Sequence, residues 1–154
     1  MKWRRVVSII VIGLLLSAQQ SDIKDLNAEY DRGILVIEAS ADACYAFDVY
    51  LAMTGEQRMR GLMYVRHLPA FWGMLFVYPE ARVLSMWMKN TYIPLDILFI
   101  RADGTIANIA TNTVPLSLES IPAIEPLNYA LELNGGMTAR LGIDTTSRVY
   151  LPEI

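Results

Sequence analysis

A chain of 154 residues has the length of a single domain, and 54% of its residues are hydrophobic while 19% are charged. Its formal net charge is −3, and its lysines and arginines form no dense cluster along the chain. Because binding to phosphate backbones depends on clustered cations, these features argue against nucleic acid as a partner.

The first 18 residues have the composition of a signal peptide. A positively charged start at residues 1–5 precedes an uncharged, mainly apolar run at 6–16 and two small residues, Ser17 and Ala18. This run is short for a membrane-spanning helix, which needs about 20 apolar residues. We therefore predict cleavage after Ala18 and export to the periplasm or the extracellular space. The alternative is a retained segment that anchors the protein to the inner membrane, and this segment is the one expected contact with a membrane.

Residues 19–29 are polar and show no period, so we predict a flexible lead-in before a single domain at 30–154. In that domain, short runs of β-branched and aromatic residues separated by proline, asparagine or glycine predict strands. These strands are expected at 33–38, 45–51, 74–78, 83–88, 95–100, 105–111, 128–133 and 148–151.

Turns and helices are signalled locally. Thr54 and Gln57 match a capping box and predict a short helix that ends near Met63, and a helical turn is expected at 137–141. The pair Asp103-Gly104 predicts a β-hairpin turn. Many short strands with one or two short helices predict a mainly β fold, at the margin of the α+β class, arranged as a sandwich or a partly closed barrel.

Several short motifs follow one another in order: Arg-Gly-Leu-Met at 60–63, Gly-Met-Leu-Phe at 73–76, Trp-Met-Lys-Asn-Thr at 87–91, Ile-Pro-Leu-Asp-Ile-Leu-Phe at 93–99, Asp-Gly at 103–104 and Leu-Glu-Leu at 131–133. Together these motifs resemble the Domain of Unknown Function 192 family over roughly residues 47–151. The resemblance implies a compact, jelly-roll-like β domain, often behind a signal peptide, with no established activity. The chain departs from the family pattern at two places. Tyr50 stands where the family often has an acidic residue, and Thr146-Ser147 stands where it often has Gly-Asp.

The segment 87–99 is the most informative for function, because charged and amide side chains lie there among large apolar ones. A carboxylate at Asp96, inside an apolar strand, is costly to bury unless it is paired or hydrogen-bonded. We expect a polar cluster that binds an unknown small polar ligand or a protein partner, without a metal or a cofactor. Its candidate residues are Arg60, Trp87, Lys89, Asn90, Asp96 and Glu132. The alternative is a structural network of ion pairs that braces the turns.

A hydrolytic enzyme is one alternative function. Asp96 and Glu132 could act as the paired carboxylates of a hydrolytic enzyme, if their separation suits that chemistry. A triad would depend on His67, the one histidine, and no motif around it supports such a site. A binding or accessory role is therefore favoured over catalysis.

The methionines suggest a Cu(I)-handling protein as a further alternative. Met86 and Met88 place two thioethers on one strand face, and thioether and imidazole ligands suit Cu(I), so Met63 and His67 are additional candidates. A sulfur-rich stripe in the core explains the same pattern, with Trp87 on the opposite face, and we favour this explanation. Cys44 is the one cysteine, and we expect a small buried residue on a strand.

Overall fold

Seven strands form one sheet in the computed structural model, which describes residues 25–39 and 43–154. The strands are β1 (Asp31–Glu38), β2 (Cys44–Ala52), β3 (Trp72–Met86), β4 (Leu95–Ile100), β5 (Ile106–Ala110), β6 (Ile121–Asn134) and β7 (Arg148–Tyr150). Besides a helical stretch at 25–29, the described residues form two short helices, α1 (Gly55–Arg60) and α2 (Met137–Leu141). The expected mainly β class is confirmed, and no helix within the described ranges is both long and apolar enough to cross a membrane.

The sheet is almost closed into a barrel. Its strand order is β5-β4-β6-β3-β2-β1-β7, and a bridge between Thr105 and Arg148 brings the two ends together. At this junction the Val149 amide donates to the carbonyl of Gly104 at 2.8 Å. Gly104 has a φ of +85°, and a Cβ there would lie 2.1 Å from the Val149 carbonyl oxygen, so a glycine is required. The Asp-Gly turn predicted from sequence therefore also closes the sheet.

Both faces of the sheet are covered, which explains the high apolar content of its central strands. One face carries a core that includes Leu75, Leu98 and Leu131 and extends to α2 and β7. The opposite face carries a second core, which is covered by residues 25–30 and 62–68. Residues 25–29, assigned from sequence to the flexible lead-in, are helical and belong to this cover; the predicted signal peptide at 1–18 and residues 19–24 lie outside the described residues.

The capping box forms as expected and positions α1. The Gln57 amide donates to the Thr54 hydroxyl at 3.1 Å, and the Thr54 amide donates to the Gln57 side-chain oxygen at 3.0 Å. The helix ends at Arg60 rather than near Met63, because Gly61 leaves the helical region with a φ of +50°. Arg58 and Arg60 thus lie in the last turn, directly before the chain continues toward β3.

Prolines obscured the true length of two strands. The stretches predicted at 74–78 and 83–88 belong largely to β3, which continues through Pro79 with a register shift against β6 between Val77 and Arg82. β6 starts at Ile121 instead of Asn128. β4 pairs only with residues 129–134 of β6, so the first half of β6 has an edge on which prolines are tolerated.

Candidate functional site

A recess of about 70 Å³ opens between α1, the second half of β3 and β6. It is lined by residues 58–63, 76, 78, 85–87, 89, 91 and 132. Four of the six candidates from sequence, Arg60, Trp87, Lys89 and Glu132, are brought together here. The other two, Asn90 and Asp96, do not line it.

Glu132 forms the buried acidic part of this recess. Its residue on β6 lies between Met74 on β3 and Ile97 on β4, and it is only 4% exposed. Its Oε2 atom is buried and accepts or donates no hydrogen bond within the described part of the chain. Burial raises the pKa of Glu132 to about 8, so the carboxyl group is mainly protonated at neutral pH.

Tyrosines beside Glu132 are affected by the same environment. Burial raises the pKa of Tyr30 to about 12, and the charge of Glu132 contributes to that rise. Burial also raises the pKa of Tyr78, while Arg58 and Arg82 act in the opposite direction. The Tyr30 hydroxyl donates to the carbonyl of Gly61 at 3.2 Å. Residues just before β1 therefore help to shield Glu132 from solvent.

Three cations surround the recess and differ in how far they are already engaged. Arg58 donates to the carbonyls of Met53 and Val77 at 2.5 and 2.8 Å and lies 4.9 Å from the ring centre of Tyr78. Arg60 forms an ion pair with Glu29. The Lys89 ammonium stacks on Trp87 at 5.0 Å from the ring centre, and it has no acidic partner within residues 25–39 and 43–154. Lys89 is thus the cation that is freest to meet a ligand.

An outer groove of about 440 Å³ adjoins the recess and shares part of its lining. Arg58, Tyr78 and Trp87 contribute to both, and Arg82 and Val83 extend the groove along β3. Trp87 is 45% exposed, which leaves an indole face accessible at the mouth. The whole site combines a buried acid, a cationic rim and aromatic walls.

Asn90 lies outside the lining of the recess and hydrogen-bonds to residues that follow α1. It has a φ of +55°, and its carbonyl accepts a hydrogen bond from the Tyr64 amide at 2.8 Å. Its side-chain amide donates to the Tyr64 hydroxyl at 2.9 Å and to the Met63 sulfur at 3.8 Å. Asn90 therefore ties the turn after α1 to the turn after β3, which corresponds to the bracing alternative for this residue.

Asp96 is fully buried and has the partners that its burial demands, but they are not Lys89 and Asn90. One carboxylate oxygen accepts from the amides of Asn112 and Gly136 at 2.8 and 3.0 Å. The other accepts from the amide and the hydroxyl of Thr138 at 2.8 and 2.7 Å. Asp96 is therefore not part of the polar cluster expected from sequence, because the amides of two distant turns and the Thr138 hydroxyl satisfy its charge instead.

The two carboxylates also lie on opposite faces of the sheet. Asp96 is registered with Leu133, whereas Glu132 is registered with Ile97 on the same pair of strands. Because neighbouring residues of a strand point to opposite faces, the sheet separates the two side chains. The structure therefore does not form the Asp96 and Glu132 pair that the hydrolytic alternative required.

The structure does not bring all four copper candidates together, although Met63 lines the recess. Met86 lines the recess, but Met88 is fully buried and accepts a hydrogen bond from the Thr113 hydroxyl at 3.1 Å. His67 is exposed and lies outside the recess. Among the described residues, no group of three His, Cys, Asp or Glu side chains could hold a metal. Leu84 joins both methionines in one core, as the core-stripe explanation predicts.

Other differences from the sequence analysis concern single residues. Cys44 starts β2 but is exposed, so the expectation of a buried cysteine was wrong. Arg58, Tyr78 and Arg82 were not selected as site residues. Arg58 carried a usable signal, because it lies two positions before Arg60 in the capped helix. Tyr78 and Arg82 carried none, because the division of β3 at Pro79 hid their common groove.

Fold and site together define a small, nearly closed β domain with a cationic recess on one side of its sheet. The family model of DUF192, described as "Uncharacterized ACR", matches residues 36–151, and the chain belongs to this family. No curated protein matches the chain significantly.

Two solved structures are similar to the chain. One, from Sinorhizobium meliloti 1021 and provisionally named a transcription regulator, is 43% identical, with a TM-score of 0.77 and coverage of 79% of this chain and 94% of that chain. The other, a protein of unknown function from Novosphingobium aromaticivorans DSM 12444, is 35% identical, with a TM-score of 0.75 and coverage of 78% and 85%.

Proposed function

We propose that this protein is a binding or accessory domain that holds a small polar ligand with a negatively charged group in the recess. The observation that carries the proposal is the grouping of Arg60, Trp87, Lys89 and Glu132 around one concavity in an acidic chain. Buried polar atoms in native proteins nearly always have partners, so the unpartnered oxygen of Glu132 points to a missing one.

The chemistry of the rim supports an anion. Lys89 has no acidic neighbour among the described residues, and Arg58 and Arg60 add positive potential around the same opening. Concave sites focus such fields and raise the local concentration of oppositely charged ligands. Trp87 and Tyr78 offer aromatic surface to an apolar part of the ligand.

A thermal-shift screen of the purified protein against small anions tests this function. Benzoate, succinate, phosphate and sulfate are suitable probes, because a ligand that prefers the native state raises the melting temperature. At least one probe should raise the melting temperature, and K89A should lower the affinity for that probe by about tenfold or more. R32A, which removes a cation from β1 outside the recess, is the matched control and should keep the response. No response to any probe, or an equal response in K89A, would contradict the proposal.

Although the structure from Sinorhizobium meliloti 1021 is provisionally named a transcription regulator, we do not propose DNA binding for this chain. Its net charge is −3, and its clustered cations line a concave recess rather than a ridge that could follow a phosphate backbone. A protein that inserts a carboxylate into the recess is the second class of partner that the same chemistry supports.

We also propose export through the N-terminal segment, on the evidence of its sequence alone. Cell fractionation combined with mass spectrometry of the mature N-terminus tests this proposal. A protein that starts at Gln19 in the exported fraction is the expected result. A full-length chain in the membrane fraction would support the anchor instead, and a full-length chain in the cytosol would overturn export.

A further inference from the structure

The ionisable groups around Glu132 come from several elements of the fold. α1 contributes Arg58 and Arg60, β3 contributes Tyr78, and Lys89 follows the end of β3. Tyr30, before β1, is close enough for its pKa to respond to the charge of Glu132. On the strands to either side, the registered residues are apolar, Met74 and Ile97. Glu132 is thus a buried acid with cations near the opening but no cation at its free oxygen.

We infer that the recess takes the carboxylate of a small organic monoanion, with protonated Glu132 donating a hydrogen bond to one oxygen and the Lys89 ammonium pairing with the other. This inference rests on the proposed function and specifies its ligand. The apolar body of the ligand lies in the outer groove against Trp87 and Tyr78.

Binding a carboxylate in the recess requires the protonated form of Glu132. A neutral carboxyl group has one O–H donor, whereas an ionised one can only accept. An ionised Glu132 would repel an incoming carboxylate inside a site that excludes most water. The neutral form instead offers that carboxylate a charge-assisted hydrogen bond, which is short and strong.

The dimensions of the site separate the ligand into a head and a body. The recess of about 70 Å³ has room for roughly two water molecules, which is close to the size of a carboxylate group. The outer groove of about 440 Å³ can hold a ring or a short aliphatic chain. Trp87 and Tyr78 flank the shared boundary, so an aromatic monocarboxylate matches both parts.

A cationic ligand is the opposite assignment and is disfavoured by the rim. An amine could pair with ionised Glu132, but it would have to pass Arg58, Arg60 and Lys89. Arg58 and Lys89 add their repulsion at the opening, while Glu29 offsets the charge of Arg60. The two assignments also predict opposite effects of pH, since the anion needs Glu132 protonated and the cation needs it ionised.

Isothermal titration of the purified protein with benzoate, between about pH 6 and about pH 9.5, tests the inference, because benzoate stays ionised throughout. Affinity should be nearly constant up to about pH 8 and then fall, approaching tenfold per pH unit. Benzyltrimethylammonium, a permanent cation, and benzyl alcohol, which is neutral, should bind at least tenfold more weakly at pH 7.

Three variants assign the pH dependence. E132Q keeps a hydrogen-bond donor that does not titrate, so benzoate binding should lose its decline above about pH 8. E132L removes the donor and should weaken benzoate at least tenfold at pH 7, while circular dichroism confirms that it is folded. K89R stays charged over the whole range and should retain the decline, which separates Glu132 from Lys89.

The outcomes distinguish this inference from the proposed function. Benzoate binding that does not change with pH, or that declines equally in E132Q, would overturn the inference and leave the anion site in place. Tighter binding of benzyltrimethylammonium than of benzoate would also overturn it. If no anion in the thermal-shift screen binds and benzoate does not bind at any pH, the proposed function fails as well.

Discussion

Asp96 and Glu132 are two buried carboxylic acids on neighbouring strands, yet they have opposite surroundings. Asp96 is fully buried and accepts four hydrogen bonds from three residues. Glu132 is also buried and lines the recess, but one of its oxygens has no partner among the described residues. The comparison shows that burial alone does not mark a functional acid, and that hydrogen-bond satisfaction separates a brace from a binding group.

The largest effect on stability is expected from D96A, which removes the buried carboxylate that accepts four hydrogen bonds. The amides of Asn112, Gly136 and Thr138 would lose their acceptor, and each buried donor left unpaired costs about 1–3 kcal/mol. We expect the free energy of unfolding, measured in urea, to fall by about 4 kcal/mol or more, if the variant folds at all. D103N is the control, because Asp103 is an exposed turn acceptor, and it should cost less than about 1 kcal/mol. Equal losses in the two variants would contradict the bracing role.

E132Q should have the second largest effect, and with the opposite sign. The folded-state pKa of Glu132, about 8, lies above its ordinary value of 4.5, so the native state holds this proton more tightly than the unfolded state. The stability that this proton provides is complete below about pH 4.5 and is lost as the pH rises toward and through about 8. E132Q should therefore be more stable than the natural protein above pH 8, by on the order of a few kcal/mol.

Urea unfolding of both proteins at several pH values measures this difference. The gain in E132Q should shrink as the pH falls and be smallest near pH 4.5. E119Q removes an exposed acid in the loop before β6 and should show no such trend. A destabilised E132Q at pH 9 would mean that the ionised carboxylate of Glu132 has a stabilising partner.

T138A measures how much a single hydrogen bond to Asp96 contributes to stability. It removes the hydroxyl that donates to Asp96 at 2.7 Å but keeps the amide that donates to the same oxygen. One of four hydrogen bonds is lost, so the free energy of unfolding should fall by about 1–2 kcal/mol, clearly less than in D96A. T138S keeps the hydroxyl and should recover most of that loss. No recovery in T138S would show that the hydroxyl is not what matters.

K89A should have the smallest effect on stability. The Lys89 ammonium contacts the Trp87 ring but has no ion pair among the described residues, so the change in unfolding free energy should be below about 0.5–1 kcal/mol. Its effect on anion binding should nevertheless be about tenfold or more, as proposed above. A large loss of stability in K89A would instead favour a structural role for this side of the recess.

Local features of the fold could be predicted because neighbouring residues determine them. The capping box at Thr54 and Gln57 and the hairpin turn at Asp103-Gly104 are set by hydrogen bonds within a few residues. The full lengths of β3 and β6 could not be predicted, because prolines interrupt the sequence pattern from which a strand is recognised. In the sheet they are accommodated by a register shift at Pro79 and by an edge of β6 that β4 does not reach.

The site could be predicted only in part. Alternation along a strand is enough to place Glu132 of the Leu-Glu-Leu motif on the face opposite Leu131 and Leu133, which is where the structure has it. It could not show that residues 25–30 and 62–68 cover that face as well, and this cover is what buries the acid. The need of Asp96 for partners was also correct, but its donors lie 16 to 42 residues away in sequence, where no local pattern could indicate them.

The account depends most directly on the protonation state of Glu132 in the empty protein. A ¹³C NMR titration of glutamate side-chain carboxyl groups measures it, with the Glu132 resonance assigned by its absence in E132Q. We expect a midpoint near pH 8 for Glu132, well above the ordinary value of 4.5 for a glutamate. A midpoint at or near that ordinary value would contradict the account, because the recess would then contain a charged, solvated acid.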